Sequence, residues 1–314
     1  MQTLLFVTVF TSGLTSLALE MLASRLLERH FGGSNLVWAS IIGLILIYLA
    51  VGNFIGGRWA DRSPSFRTFY TIQIWAAVAI GLLPLISRPV LQAAADAFDS
   101  LKFGLLAGTF ISVLILLVVP VILLGVTSPF AIKLSIRQAQ GIGRISGQIY
   151  AISTLGSFIG TFLPILILLP YVGVYRSFLV VSGLLMGVAL FGLWRAVSLR
   201  AALVYLWAPL LLLAILLFGL PGSDRLTSGM IYEGESSYNY IQVVEKNDLR
   251  VLRLNEGQGQ HSVYHPTRLI YNGPWEMVLA APFFNAGADP GEVNSLAIVG
   301  LAAGTTARQA AAVY

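Results

Sequence analysis

Apolar residues fill the first 220 positions in long unbroken runs, and beyond them they alternate with polar ones. An α-helix needs about 20 mostly apolar residues to cross a bilayer. Seven stretches qualify, at 3–24, 35–57, 68–88, 104–126, 146–170, 175–194 and 201–220. The last, Ala201 to Leu220, carries no charge. The first is interrupted by Thr8, Thr11, Ser12, Thr15 and Ser16, with Glu20 near its end. No basic segment precedes that run and no clean small-x-small site follows it, so it reads as a helix of the bundle rather than a signal peptide. Continuous apolarity without ten-residue alternation predicts helices, not a barrel.

From Pro221 the period changes. Tyr240–Glu245 reads as a strand, Lys246-Asn247-Asp248 as a turn and Leu249–Leu254 as the returning strand, which together predict a hairpin. Gln260–Tyr264 adds a further strand. Trp275–Phe284 has the length of a helix, with Pro274 at its start where Pro is tolerated. Ser295–Val299 then reads as a buried strand running into a small-residue turn, Gly300-Leu301-Ala302-Ala303-Gly304, and an Ala-rich helix start. A doubly wound α/β sheet opens in this way, offering backbone N–H groups to a nucleotide-like ligand.

Composition agrees with the pattern. Hydrophobic residues make up 57% of the 314 and charged ones 11%, against roughly a quarter charged in soluble domains. Mean hydropathy is +0.81. The chain reads as an integral membrane protein. The absence of Cys excludes disulfide scaffolds, thiolate metal sites and cysteine nucleophiles. Net charge is +5, but residues 1–220 hold 13 Lys/Arg against 5 Asp/Glu, and 221–314 hold 6 against 9. Basic charge therefore belongs to the membrane part, and no nucleic-acid partner is implied.

Lys and Arg in the short loops set the orientation. Arg58, Arg62, Arg67, Lys133, Arg137, Arg144, Arg195 and Arg200 fall on one side; Arg25, Arg29, Arg88, Lys102 and Arg176 fall on the other. The N-terminus is then cytoplasmic, and seven spans in the plasma membrane place the tail outside.

Several residues carry candidate chemistry. An intramembrane acid such as Glu20 is a functional candidate, unless it sits near the interface and pairs with Arg25 or a neighbouring helix. Gly52-x-x-x-Gly56 and Gly156-x-x-x-Gly160 are faces for close helix packing. Pro84, Pro120, Pro164 and Pro209 predict kinks. His261 and His265 are four apart on what reads as strand and turn, a spacing that binds metal on a helix, so no metal is expected. Gly257 and Gly259 suit a tight turn. Tyr238, Tyr240 and Trp275 could line a pocket or pack a core.

Two resemblances follow from particular residues. Gly57-Arg58-Trp59-Ala60-Asp61-Arg62 is similar to the loop signature of major-facilitator transporters, in which the Asp and Arg bridge helix ends on the cytoplasmic side. The second covers nearly the whole chain. A many-helix part comes first, then Glu235-Ser236-Ser237-Tyr238-Asn239-Tyr240, then Leu254-Asn255-Glu256-Gly257-Gln258-Gly259-Gln260, then the Gly300 turn. This order resembles the membrane-fused spermidine-synthase-like family.

That resemblance implies three parts: a multi-pass transmembrane domain over 1–220, a small β-domain over 221–290, and over 291–314 the first strand-turn-helix of an incomplete methyltransferase-like Rossmann domain. It implies aminopropyl transfer from decarboxylated S-adenosylmethionine, as co-substrate, to an amine such as putrescine, with no metal and no tightly bound cofactor. Tyr238, Gln260, Gly300 and Gly304 would contact the adenosyl co-substrate, and Glu276 the amine. Departures accompany the match. Asn239 stands where the family has Gln after Tyr, and Pro274-Trp275-Glu276-Met277 stands for Tyr-His-Glu-Met. The family's ribose-binding acid and catalytic Asp fall beyond Tyr314, so the 314 residues alone are not expected to be catalytic.

Two other readings remain open. One is a non-catalytic accessory subunit of a larger assembly, with a membrane-protein partner or a second copy beside it in the bilayer. The other is a transporter of polyamines or other cations built on the membrane half, with Glu20 in its mechanism.

Overall fold

The computed structural model describes residues 1–101, 105–136, 141–219, 227–236, 239–255, 259–284, 287 and 289–314. The chain divides into two compact units, Met1–Arg225 and Leu226–Tyr314.

The first unit is helical: α1 Gln2–Phe31, α2 Asn35–Arg62, α3 Phe66–Leu101, α4 Leu105–Gly125, α5 Thr127–Ser135, α6 Ile142–Leu163, α7 Leu169–Ala196, α8 Leu199–Leu203 and α9 Trp207–Ala214. Six continuous helical stretches among the described residues are long and apolar enough to cross a membrane, where the sequence predicted seven. The count differs because 146–170 and 175–194 are joined in one stretch, Ile142–Ala196, of 55 residues. At ~1.5 Å per residue that is far longer than a ~30 Å hydrocarbon layer.

The joined stretch folds back on itself. Gly156 and Gly160 of α6 lie on Phe10 and Leu14 of α1. Arg29, at the far end of α1, stacks on Tyr175. Phe191 and Arg195 then line a cavity with Leu4 and Val7, back at the start of α1. The reversal is at Gly173, whose φ of 75° and ψ of 173° break the helical run, a conformation open mainly to glycine.

Both Gly-x-x-x-Gly pairs are packing faces. A Cβ on Gly160 would stand 2.1 Å from the Leu14 carbonyl oxygen, and one on Gly52 2.4 Å from that of Ile122. The missing side chains let helix backbones touch, and close backbone packing adds dispersion contacts between the helices. The prolines behave unequally. The helix continues through Pro84 and Pro120, Pro164 opens a π-helical turn over Pro164–Leu168, and Pro209 lies in the first turn of α9.

The second unit is a four-stranded antiparallel meander in the order β1-β2-β3-β4, comprising β1 Met230–Glu235, β2 Tyr240–Lys246, β3 Leu249–Leu254 and β4 Gln260–Tyr264. The predicted hairpin is present, with Lys246 paired to Leu249. Asn247 and Asp248 have φ of 53° and 65°, the two positive-φ positions of a type I′ turn. The expected helix over Trp275–Phe284 is split into α10, Pro274–Leu279, and a 3₁₀ turn, Ala281–Phe284. Pro282 has no N–H for an α-helical bond, and its ring opposes the carbonyl four residues back.

The strand expected at Ser295–Val299 is absent. That segment is irregular, with Leu296 48% and Val299 101% exposed. A strand needs a neighbour to satisfy its N–H and C=O groups, and no described strand lies alongside. The turn and helix predicted after it do form, as α11 Thr305–Val313.

Candidate functional site

In the second unit, α11 docks on β4 and α10, and Glu276 and the turn leading into α11 meet there. Thr305, the first residue of α11, makes the central contact. Its Oγ1 accepts from the Val263 N–H at 2.8 Å and donates to the Val263 carbonyl at 2.9 Å. Two residues before it, the Ala303 N–H donates to Ser262 Oγ at 2.9 Å. Gln309, one turn later, donates through Nε2 to the Leu269 carbonyl and to Glu276 Oε1, at 2.6 and 2.7 Å. Arg308 donates to the Pro266 carbonyl at 2.7 Å, and its guanidinium lies 4.8 Å from the centre of the Tyr264 ring. Residues 305, 308 and 309 form one polar face on an otherwise Ala-rich helix, and that face is the one that docks.

The turn leading into α11 is tight. Gly300, Ala302 and Gly304 all have positive φ, at 88°, 48° and 82°. No other atom lies within 4 Å of where a Cβ would stand on Gly300 or Gly304. The turn is thus pinned from behind by Ser262 and Val263 and open in front, and the first N–H groups of α11 have no intrahelical acceptors.

Glu276 is held by its own chain. Its Oε1 accepts from the Tyr271 N–H at 2.7 Å and its Oε2 from the Gly273 N–H at 2.8 Å. Glu276 is the third residue of α10, so this is half of a capping box; Gly273 has no side chain to return the other half. Burial pushes the carboxyl pKa up, but the N–H donors of Tyr271, Gly273 and Glu276 itself and the Gln309 amide outweigh it, leaving the group below its ordinary value. The oxygens that would face an amine are engaged in closing α10 and joining it to α11.

Gln260 opens β4 opposite Arg253 and is exposed. It shares its strand with Ser262 and Val263, so strand and turn are brought together at the element level. Tyr238 and Gly257 lie outside the described residues. Tyr240 is buried in the sheet at 3% exposure, where its hydroxyl donates to Glu233 and accepts from Gln242 Nε2 at 3.0 Å. Trp275 stands edge-on to Tyr271, 6.4 Å between ring centres. His265 Nδ1 accepts from the Arg268 N–H at 2.9 Å within its own loop. An open cavity of about 340 Å³ lies between residues 293–298 and α11, lined by Leu296, Ile298, Ala310 and Tyr314 among others. Neither Gln260 nor the two turn glycines line it.

In the helical unit, Glu20 is partly buried on α1, and no hydrogen-bond or ion-pair partner for it is found among the described residues. The expected pairing with Arg25 is not made; Arg25 reaches Glu28 instead, at 3.0 Å. The helix also runs to Phe31 rather than ending near residue 24. Glu20 therefore sits some ~16 Å along the axis from the helix end, not at it. Asp61 and Arg62 lie in the last turn of α2 rather than in a loop. Asp61 does bridge helix ends, accepting from Lys133 Nζ of α5 at 2.6 Å. Both side chains are exposed, so the pair contributes at most about 1 kcal/mol.

Sequence comparison gives this geometry a context. The likeness is to polyamine aminopropyltransferases. The chain is 25% identical over 298 residues to the polyamine aminopropyltransferase of Leptospira interrogans, covering 89% of this chain and 57% of that protein. It is 27% identical over 266 residues to polyamine aminopropyltransferase 2 of Ralstonia nicotianae, covering 79% and 49%. A probable polyamine aminopropyl transferase of Bifidobacterium longum is 39% identical over 82 residues, 26% of this chain and 17% of that one. No family model matches the chain, and no solved structure matches it significantly. The chain thus spans about half the length of the first two relatives. A match over 89% of the chain runs through most of the helical unit as well as the second unit.

Proposed function

We propose that the chain is the membrane-embedded and nucleoside-facing portion of a spermidine-synthase-like aminopropyltransferase. The observation that carries the reading is the pinned turn Gly300–Gly304 at the start of α11, in a chain distantly similar to such enzymes over both units. The turn has the attributes of a nucleoside-facing turn: positive φ at both glycines, open space in front of them and a helix N-terminus behind. The co-substrate is decarboxylated S-adenosylmethionine. The acceptor amine attacks the aminopropyl carbon, an N–C bond forms as the C–S bond breaks, sulfur keeps the electron pair as a neutral thioether nucleoside, and the amine gives up a proton.

Gly300 and Gly304 let the backbone approach the adenosyl group, with Gln260 on the neighbouring strand and Tyr238 as its further contacts. Glu276 acts at one remove, by holding α10 against α11. By resemblance, the acids that bind the ribose and deprotonate the amine lie C-terminal to Tyr314 in a longer protein, where the exposed Leu296 and Val299 would find the strand neighbours that an apolar segment needs. The helical unit fixes the enzyme in the membrane.

The test is binding of decarboxylated S-adenosylmethionine to the detergent-solubilised native protein, with intact mass measured on the same sample. Binding to a species well above 33.9 kDa is expected. Gly304→Val should weaken it about five-fold or more, since a β-branched residue at positive φ is strained by ~1–3 kcal/mol. No binding by wild type, or a Gly304→Val variant that binds equally well, would overturn the reading.

A further inference from the structure

An open groove of about 590 Å³ runs between the first half of α1 and the last half of α7, within the ~300–1,000 Å³ range of ligand sites. Leu4, Val7, Val188 and Phe191 form apolar walls, Gly187 leaves the floor open, and Arg195 stands at one end. Arg195 is exposed, and its guanidinium has no carboxylate or carbonyl partner among the described residues. Trp194 is exposed beside it, edge-on to Phe191 with 5.8 Å between ring centres, the placement of an aromatic at a headgroup boundary.

That end of the helical unit is the cationic one. Arg58 and Arg62 close α2, Arg67 opens α3, Lys133 lies in the last turn of α5, Arg195 closes α7 and Arg200 follows in α8. Tyr70, near the start of α3, packs on Gly192 of α7, which brings these termini to one level. Among the described residues Asp61 is the acid at that end, and it is already paired with Lys133. The end richer in Lys and Arg faces the leaflet that carries anionic lipid.

We infer that the groove holds an anionic phospholipid, with one acyl chain against Leu4, Val7, Val188 and Phe191 and the phosphate on Arg195. The inference rests on the membrane placement proposed above. A neutral lipid would leave the guanidinium unused, and a packed helix would need a longer apolar surface without a charge at its end.

The test is native mass spectrometry of the full chain extracted from its membrane in mild detergent, with lipids identified after release. Alkaline-carbonate extraction of the same membranes serves as the control for membrane placement. Wild type should retain an anionic phospholipid. Arg195→Gln should retain about five-fold less, the effect of removing one basic residue at a charged bilayer surface.

Gly187→Leu should also lose the lipid, because its side chain meets nothing within 4 Å and only fills the groove. Gly183→Leu, equally open but outside the groove, and Arg200→Gln should retain it. Equal retention by all variants, or retention of zwitterionic lipid alone or of none, would overturn the groove assignment. If the chain meanwhile resists carbonate, the membrane placement survives; if carbonate releases the chain, both fall.

Discussion

Glu276 shows how a residue with the right chemistry for one role can be committed to another. Its carboxylate joins Tyr271, Gly273 and Gln309, so removing it strands two backbone N–H groups and leaves the Gln309 amide only the Leu269 carbonyl. Glu276→Ala should lower the stability of the second unit by about 1–2 kcal/mol, seen as an earlier transition in urea. Because its pKa lies below the ordinary carboxyl value in the folded state, its contribution is fully present above that ordinary value. The contribution is lost as pH falls through the lower, folded value. Wild type should therefore lose this increment on acidification, and Glu276→Gln should not. The docking role was invisible in Pro274-Trp275-Glu276-Met277, because it depends on Gln309, 33 positions away. Gly160 was legible from its spacing. Gly160→Leu, driven into the Leu14 carbonyl, should cost about 1–3 kcal/mol or prevent folding, read as thermal stability in detergent; an unchanged transition would contradict the packing described.

At the level of elements, α11 is attached by a few polar contacts rather than by a broad apolar face. Thr305→Val keeps the shape but removes both bonds to Val263, leaving a buried N–H and C=O unsatisfied. It should weaken the docking by about 1–3 kcal/mol and raise amide exchange in α11 while leaving the β2–β3 hairpin protected. Uniform loss of protection across the sheet would contradict a docked, separable helix. The hairpin was readable because its alternation and its Asn247-Asp248 turn are local signals. Leu296–Val299 is irregular for the opposite reason: an apolar run does not carry the neighbouring strand that it needs. β1 escaped notice because Met230–Glu235, with Gly234 and two Glu, does not alternate cleanly. The break at Gly173 matches the gap read between two spans, and counting Ile142–Ala196 as one stretch across it is what separates six from seven.

For the whole molecule, the two units differ in composition, one held together by close helix contacts and the other by a small sheet with polar docking. The helical unit should remain with the membrane after alkaline carbonate, and release by carbonate would contradict the membrane reading. On the proposed reading, the protein carrying this chain transfers an aminopropyl group. The most direct measurement is the amine-dependent release of methylthioadenosine from decarboxylated S-adenosylmethionine by the native protein, purified in detergent from its own membrane and offered a panel of diamines and polyamines. Release should require an amine acceptor and fall about five-fold or more in Gly304→Val. No release with any amine, from protein that is folded and of full native mass, would contradict it.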